Sequence, residues 1–430
     1  MKGVFKRFDL ESHGTTVRRE VVAGTVSFLT IVYIVAINGA ILADAGMPLQ
    51  AAIVATILTS VFGCLLMGLW SNAPIILVPG MGVNALFTYT FVHALGLSWQ
   101  EALAAVFVSG LVFVVVAFTK LAAVLSKAIP PSLKDAITVG IGLFLTFIGL
   151  QKGGVIRGDE ETFIAIAHLS DPLPLATLLT LLLAIVLFIR QVPGNFLITM
   201  VVGTGLAYLI GVKPNSASSD GFSLASYGSF FADLSFGGFA SLAFWIAVFS
   251  MTMVLVFENV GLIHGYLQMT GHPNKNKRAL QANAVSALSS GLFGTSPTVA
   301  TVETAAGISA GGRTGLTSVV TGLLFVLTLF AIPVITIVPD SAIAPILLVV
   351  GGLMVQHIKE IPLHDFSEGF PAFLIIALIP LTYSIAEGMA FGFIAYPILK
   401  LAIGKAKEVP IPLYVIASLF LAHIVLHSLG

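Results

Sequence analysis

The sequence predicts an all-α polytopic membrane protein of about fourteen spans in two inverted seven-span repeats, with short extended strands in spans 3 and 10. Composition is the first reason: 57% of the 430 residues are hydrophobic and 9% charged, against roughly 25% charged in an average soluble domain. Periodicity is the second. Apolar runs of about 18–22 residues, long enough to cross a bilayer as helices, recur from Val21 to the C-terminus. The third is a pair of exceptions, one in each half, where a run is short and interrupted.

The amino terminus, residues 1–20, carries Lys2, Lys6, Arg7, Arg18 and Arg19. It lacks the apolar core and small-residue cleavage site of a signal peptide, so it is expected to remain on the protein and face the cytoplasm. Spans are expected at 21–44, 50–70, 82–96, 100–119, 134–151, 173–190, 195–212, 239–264, 279–294, 303–311, 315–335, 342–357, 370–398 and 410–428. Strict alternation from an inside start places Lys120, Lys127, Lys134, Arg190, Lys275, Lys277, Arg278 and Arg313 inside as well, as the positive-inside rule requires. The connections 151–172 and 213–238 fall outside; they are acidic, Ser-rich or Gly-rich and carry no motif. The run 370–398 exceeds one span, and Glu387 and Gly388 mark a candidate hairpin within it.

The two interrupted runs are "NAPIILVPGMGVNALFTY" (72–89) and "GTSPTVATVETAAG" (294–307). Each starts with a proline-bracketed or β-branched stretch that disfavours helix and only then turns helical. Broken segments expose backbone N–H and C=O groups at membrane depth, which is tolerated only where protein or a water-filled cavity satisfies them. One lies at the third span of each half, the arrangement of an inverted-repeat secondary transporter with its binding site between the breaks.

Few charges lie deep in the apolar runs: Glu258 in "VFENVGLIHG", Glu303 in "TVETAAG" and Glu387. Each costs roughly 2.5–3.5 kcal/mol at a helix centre on insertion scales, so each needs a compensating role. The bland role is a protonated or hydrogen-bonded carboxylate that fixes helix packing. For Glu258 and Glu303, position favours function: one follows a break, the other sits in the first span of the same repeat. No basic partner appears in the deep segments, and low-dielectric burial without a cation favours proton uptake by a carboxylate. That is the property a proton-coupled carrier needs.

Asn84 follows "PGMG" and offers an amide that both donates and accepts, suited to the edge of a heterocycle; its alternative role is to cap the half-helix. Gly80 and Gly82 do not form a phosphate loop, because no Lys-Ser/Thr follows in Walker spacing. Cys64, the single cysteine, reads as packing. His264 reads as interfacial, and His423 and His427 are too isolated for a metal site, so no metal is expected. No "GxSxG" or Ser/His/Asp arrangement is present, and an enzyme is not expected. Lys+Arg and Asp+Glu balance at 20 each, so net charge points to no nucleic-acid partner.

The stretches "EVVAGTVSFLTIVYIVAINGAIL", "APIILVPGMGVNALFTYTFV", "FENVGLIHG" and "GTSPTVATVETAAGISAGGRTGLTSVVTGLLF" resemble the nucleobase cation symporter-2 superfamily, in its azaguanine/hypoxanthine/guanine permease branch. The likeness runs from about Arg18 to the end. It implies a core domain, 21–120 and 239–335 (spans 1–4 and 8–11), moving against a gate domain, 134–212 and 342–430 (spans 5–7 and 12–14). It also implies a purine held between spans 3, 8 and 10. Carried over, the binding residues are Asn84, Glu258 and Glu303, with backbone near Thr301 and Val302 edging the base and Phe87 or Tyr33 flanking its ring. Two departures stand out: Glu258-Asn259 where the branch commonly has Asp-Thr, and "ING" at Ile37 to Gly39 where span 1 often ends in "VNP". One extra methylene in a tight pocket is worth roughly 1–3 kcal/mol, which leaves the preferred purine open.

The expectation is therefore a proton-coupled importer of hypoxanthine, guanine or adenine in the bacterial cytoplasmic membrane. Glu258 is expected to couple proton and substrate, with no cofactor beyond the proton and a homodimer formed through the gate. Xanthine, uracil or a small anion on the same fold is the alternative, and a channel-like or structural membrane protein is the alternative from another class.

Overall fold

The computed structural model describes residues 7–119, 121, 129–159, 162–212 and 227–429. Lys2, Lys6, Lys120, Lys127, the connection 213–226 and the side chains of His423 and His427 lie outside the described residues. Among the described residues, nine helices are long and apolar enough to cross a membrane. The chain is a multi-pass membrane protein.

Seven segments make the first half. Span 1 is Val17–Asp44 and span 2 Leu49–Ser71. Span 3 is the strand Leu77–Pro79 followed by helical turns Met81–Ala85 and Leu86–Ala94. Span 4 is Trp99–Phe118, span 5 Pro131–Lys152, span 6 Pro172–Ile189 and span 7 Asn195–Ile210. The second half repeats the plan with span 8 Leu242–Met269, span 9 Asn276–Phe293, and span 10, the strand Thr298–Ala300 with helix Thr304–Ser309. Span 11 is Gly315–Ile335, span 12 Asp340–Glu360, span 13 Phe366–Thr382 and span 14 Ile385–Ala402. Helix starts follow local chemistry. Ser98 and Glu101 form a reciprocal capping box before span 4, and Ser241 accepts the Phe244 N–H before span 8.

Two expected segments are corrected. The run 370–398 is two helices, and the reversal falls at Tyr383–Ser384 rather than at Glu387–Gly388. Tyr383 takes a left-handed conformation (φ 58°), and the Ser384 hydroxyl accepts the Glu387 N–H at 3.3 Å, so Glu387 stands in the first turn of a new helix. The seven-plus-seven pattern then closes at Ala402, so the stretch expected at 410–428 as span 14 is corrected as well: the helix Ile411–Leu429 is a fifteenth segment, packed on span 14. The connection after span 5 also holds more order than expected: Ile156–Asp159 and Phe163–Ile166 pair as an antiparallel hairpin.

Packing sorts the spans into two groups, the core and the gate. In the core, span 1 packs on spans 2, 10 and 11, span 9 on spans 2 and 4, and span 8 on span 4. In the gate, span 5 packs on spans 12 and 13, span 6 on spans 7 and 12, and span 13 on span 14. Small residues set the closest approaches. A Cβ on Gly24 would meet the Thr317 carbonyl at 2.7 Å, and one on Gly142 the Gly351 carbonyl at 2.7 Å; no real side chain fits there. Close backbone approach through small residues is how helices associate in lipid, where burial of apolar surface gives no drive.

Candidate functional site

The strand of span 3 and the strand of span 10 pair antiparallel, with Leu77 opposite Ala300, Val78 opposite Val299 and Pro79 opposite Thr298. Each strand runs directly into its own half-helix. Because the strands are antiparallel, the half-helices leave in opposite directions and both begin at the two-stranded ribbon. Their positive dipole ends face the ribbon, and in span 10 the first-turn N–H groups of Thr304, Ala305 and Ala306 are taken up by the Thr301, Val302 and Glu303 carbonyls at 3.1, 3.1 and 3.0 Å.

The ribbon lies wholly within protein, and its spare backbone groups are met by side chains. The Ala300 N–H donates to Asn259 Oδ1 at 2.8 Å, and the same amide donates to the Leu255 carbonyl at 2.7 Å. Thr298 N–H donates to Ser290 Oγ at 3.1 Å, and Ile76 N–H to Thr304 Oγ1 at 3.2 Å. Gly80 ends the first strand against Val299, whose side chain occupies the place a Cβ would take.

Glu303 is the N-cap residue of the span 10 half-helix and is half-buried. The Tyr33 hydroxyl donates to its Oε1 at 2.5 Å. Tyr33 sits at the join of the two helices of span 1, Val17–Ile31 and Ile34–Asp44. The Tyr33 ring also stands edge to face on Phe196 of span 7, 4.9 Å between centroids, so the contact lies where core meets gate. Glu258, half-buried, immediately precedes the Asn259 that holds Ala300. Tyr266 lies about two turns further along span 8. Val302 is 61% exposed at the join and Thr301 9%.

The structure thus brings Tyr33, Thr301, Val302 and Glu303 together, with Glu258 on the helix that holds the same strand. Asn84 belongs to the opposite half-helix, Met81–Ala85, which packs on span 8. It is buried inside the half-helix, whose N-cap is Gly80, and its amide donates to Asn38 Oδ1 at 3.0 Å. Phe87 is fully buried among core side chains.

Two residues that carry the site went unread in the sequence except as departures. Asn38 is a hub: it donates to Thr56 at 2.7 Å and Thr295 at 2.9 Å, and accepts from Asn84 and from Ser296 at 3.2 Å. It ties spans 1, 2 and 3 to the lead-in of span 10. Asn259 pins the second strand. The available signal was an amide within an apolar run, which is costly unless bonded. Asn38→Ala leaves the Asn84 amide and the Ser296 hydroxyl without their acceptor. A loss of roughly 2–6 kcal/mol is expected, at about 1–3 kcal/mol for each of the two buried polar groups left unpaired, read as a lower melting temperature of the detergent-solubilised protein.

Among the described residues, no group of three or more His, Cys, Asp or Glu converges as a metal site. Cys64 is buried and its thiol approaches the Leu77 carbonyl at 3.4 Å.

A pair of broken segments set between a core and a gate is the architecture of a membrane transporter, and the family and relatives that the chain matches are permeases, not enzymes. Residues 18–391 match the model of the permease family Xan_ur_permease. The chain belongs to that family, the nucleobase cation symporter-2 group, in its azaguanine/hypoxanthine/guanine permease branch. It is 54% identical over 381 residues to the nucleobase transporter PlAzg2 of Paenibacillus larvae, covering 88% of this chain and 76% of that one. It is 37% identical to the guanine/hypoxanthine permease PbuO of Bacillus subtilis, over 96% of this chain and 98% of that one. It is 35% identical to the adenine permease AdeP of Escherichia coli, over 99% and 96%. In fold it is similar to the transmembrane domain of the cyanobacterial bicarbonate transporter BicA, with TM-score 0.67 and 17% identity over 86% of this chain and 96% of that one. SLC26A9 matches with TM-score 0.65 and 11% identity over 90% and 66%.

Proposed function

We propose that the protein is a proton-coupled importer of purine nucleobases, hypoxanthine or guanine first and adenine also in range, working by alternating access in the cytoplasmic membrane. The observation that carries this reading is the Tyr33–Glu303 pair at the strand-to-helix join of span 10, half-buried where core meets gate. A carboxylate there accepts hydrogen bonds from ring N–H and exocyclic amino groups, while the adjacent strand backbone meets a neighbouring edge. The kinship with permeases named for guanine, hypoxanthine and adenine supports the same class of substrate. Two acids around one site disfavour an inorganic anion as cargo.

Glu258 is the coupling group in this reading: it takes up a proton as the base binds and releases it with the base. The moving bodies are the core, 21–120 and 239–335, and the gate, 134–212 and 342–430. The amino terminus faces the cytoplasm, in keeping with Arg7 and Lys275, which reach the Leu69 and Asn72 carbonyls at that end, and with Arg19 beside Gly311, two residues before Arg313. A homodimer through the gate belongs to the same reading, and cross-linking in intact membranes tests it.

The decisive experiment is uptake of labelled hypoxanthine, guanine, adenine, xanthine and uracil by cells lacking their own permeases, with and without a protonophore. Accumulation of purines that the protonophore abolishes is expected; if no nucleobase accumulates although the protein reaches the membrane, the reading is lost. Glu258→Gln is expected to equilibrate the base across the membrane without concentrating it and to flatten the pH dependence of uptake. Accumulation at the parent level in that variant would remove Glu258 from coupling.

A further inference from the structure

Core and gate meet through polar contacts at the face opposite the amino terminus. Lys152, the last residue of span 5 in the gate, places its ammonium 2.8 Å from Asp44 Oδ2 and 2.9 Å from Oδ1. Asp44 is the last residue of span 1 in the core. The same ammonium lies 3.7 Å from Asp340, the first residue of span 12 in the gate. The lysine thus sits between one carboxylate of each body.

The core side of this contact is anchored to the substrate path. The Tyr89 hydroxyl donates to Asp44 Oδ2 at 2.6 Å, and Tyr89 belongs to the half-helix that begins at Gly80 beside the ribbon. One residue on, Thr90 Oγ1 accepts the Ile385 N–H at 3.0 Å, a bond from gate backbone to core side chain. The Tyr89 and Tyr383 rings stand edge to face at 5.5 Å. The span 13–14 reversal is therefore seated on the end of the span 3 half-helix. Toward the amino-terminal face the two bodies meet differently, with Lys134 over the Phe257 ring at 5.1 Å.

We propose that Asp44 and Lys152 form a latch that closes the extracellular side of the substrate path, with Asp340 as the resting partner of Lys152 when the latch opens. The proposal rests on the alternating-access reading and on the cytoplasmic amino terminus. Its physical basis is that an unpaired, partly buried charge is costly. The Lys152 and Asp44 side chains are only 14% and 30% exposed, so solvent does not simply replace the partner. When the core slides away, Lys152 keeps Asp340 on its own body, and Asp44 keeps the Tyr89 hydroxyl on its own. Each body leaves with a partner for its charge, so the contact has two discrete states rather than one deep minimum.

The test reads access to the site without any substrate. In a Cys64→Ser background, which removes the single cysteine, Val302→Cys places a thiol at the exposed join. A membrane-impermeant maleimide is added to right-side-out vesicles, and inside-out vesicles report that each variant is folded with its join reachable. Asp44→Asn and Lys152→Gln are each expected to speed labelling from outside by about fivefold or more, since a partly buried pair is worth more than an exposed one. Asp340→Asn is expected to label no faster than the parent, because it leaves Lys152 with Asp44 alone. Outside labelling unchanged in Asp44→Asn and Lys152→Gln would overturn the latch. Acceleration in Asp340→Asn equal to that in Asp44→Asn would overturn it too, by showing general loosening of that face. The substrate reading can fail in uptake while this result stands, so the two failures are separable.

Discussion

Glu303→Gln is expected to lower purine uptake by roughly 10- to 100-fold with the amount of protein in the membrane unchanged. The magnitude follows from the bond type. Hydrogen bonds to a charged group contribute about 1.5–3 kcal/mol, and each 1.4 kcal/mol is a factor of ten. The amide keeps the shape and one acceptor, so Tyr33 can still donate and the half-helix start survives. What disappears is the negative charge that a purine N–H pair meets at the join. Tyr33→Phe removes one donor from the acid and leaves the charge in place, so a smaller loss, within about tenfold, is expected. Initial-rate uptake of labelled hypoxanthine, normalised to membrane protein by immunoblot, checks both. Parent-level uptake in Glu303→Gln would reduce the acid to a packing role.

The largest stability effect is expected from Glu20→Ala. Glu20 is fully buried, and its two carboxylate oxygens accept from the backbone N–H of Arg313 at 2.9 Å, Thr314 at 3.3 Å and Thr317 at 3.2 Å, and from Thr317 Oγ1 at 2.6 Å. It closes the loop that carries "AGGRTG" and neutralises the positive start of span 11. Alanine leaves several buried donors without an acceptor, and a loss of roughly 3 kcal/mol or more is expected at about 1–3 kcal/mol each. The measurement is the melting temperature and the monodisperse yield of solubilised protein. Glu20→Gln retains an acceptor oxygen and should fall between the two. A melting temperature within a degree of the parent for Glu20→Ala would show that water replaces the carboxylate.

Much of the plan was legible because lipid is an unforgiving solvent. Apolar runs of helical length mark their own crossings, and the proline and β-branched lead-ins at 72–79 and 294–302 mark the breaks. Their pairing as strands, Leu77–Pro79 with Thr298–Ala300, follows once two extended segments must satisfy each other at membrane depth. The reversal near residue 384 was misplaced by a few residues. Its signal is a serine cap and a left-handed tyrosine, both local hydrogen-bond geometry that hydropathy does not report.

Glu20 is the instructive miss. It lies in a basic, polar stretch that reads as a solvated tail, and only its contact with residues 313–317, nearly three hundred positions away, turns it into a buried cap. Asn38 and Asp44 are similar. An amide in "ING" and an acid at a helix end have no meaning until the partners Thr295, Asn84 and Lys152 arrive from other spans.

By itself, the sequence determined that the chain lives in a membrane, where it crosses up to residue 357, where the crossings break, and that Glu258 and Glu303 are acids needing a reason. Those properties depend on residue type and spacing along one helix, because transfer into lipid acts on each segment separately. The tertiary structure alone decided that Tyr33 meets Glu303, that Asn259 pins the second strand, and that Lys152 bridges core and gate. Each of these joins residues far apart in the chain, and a hydrogen bond or ion pair depends on a separation of a few ångström that no single segment contains.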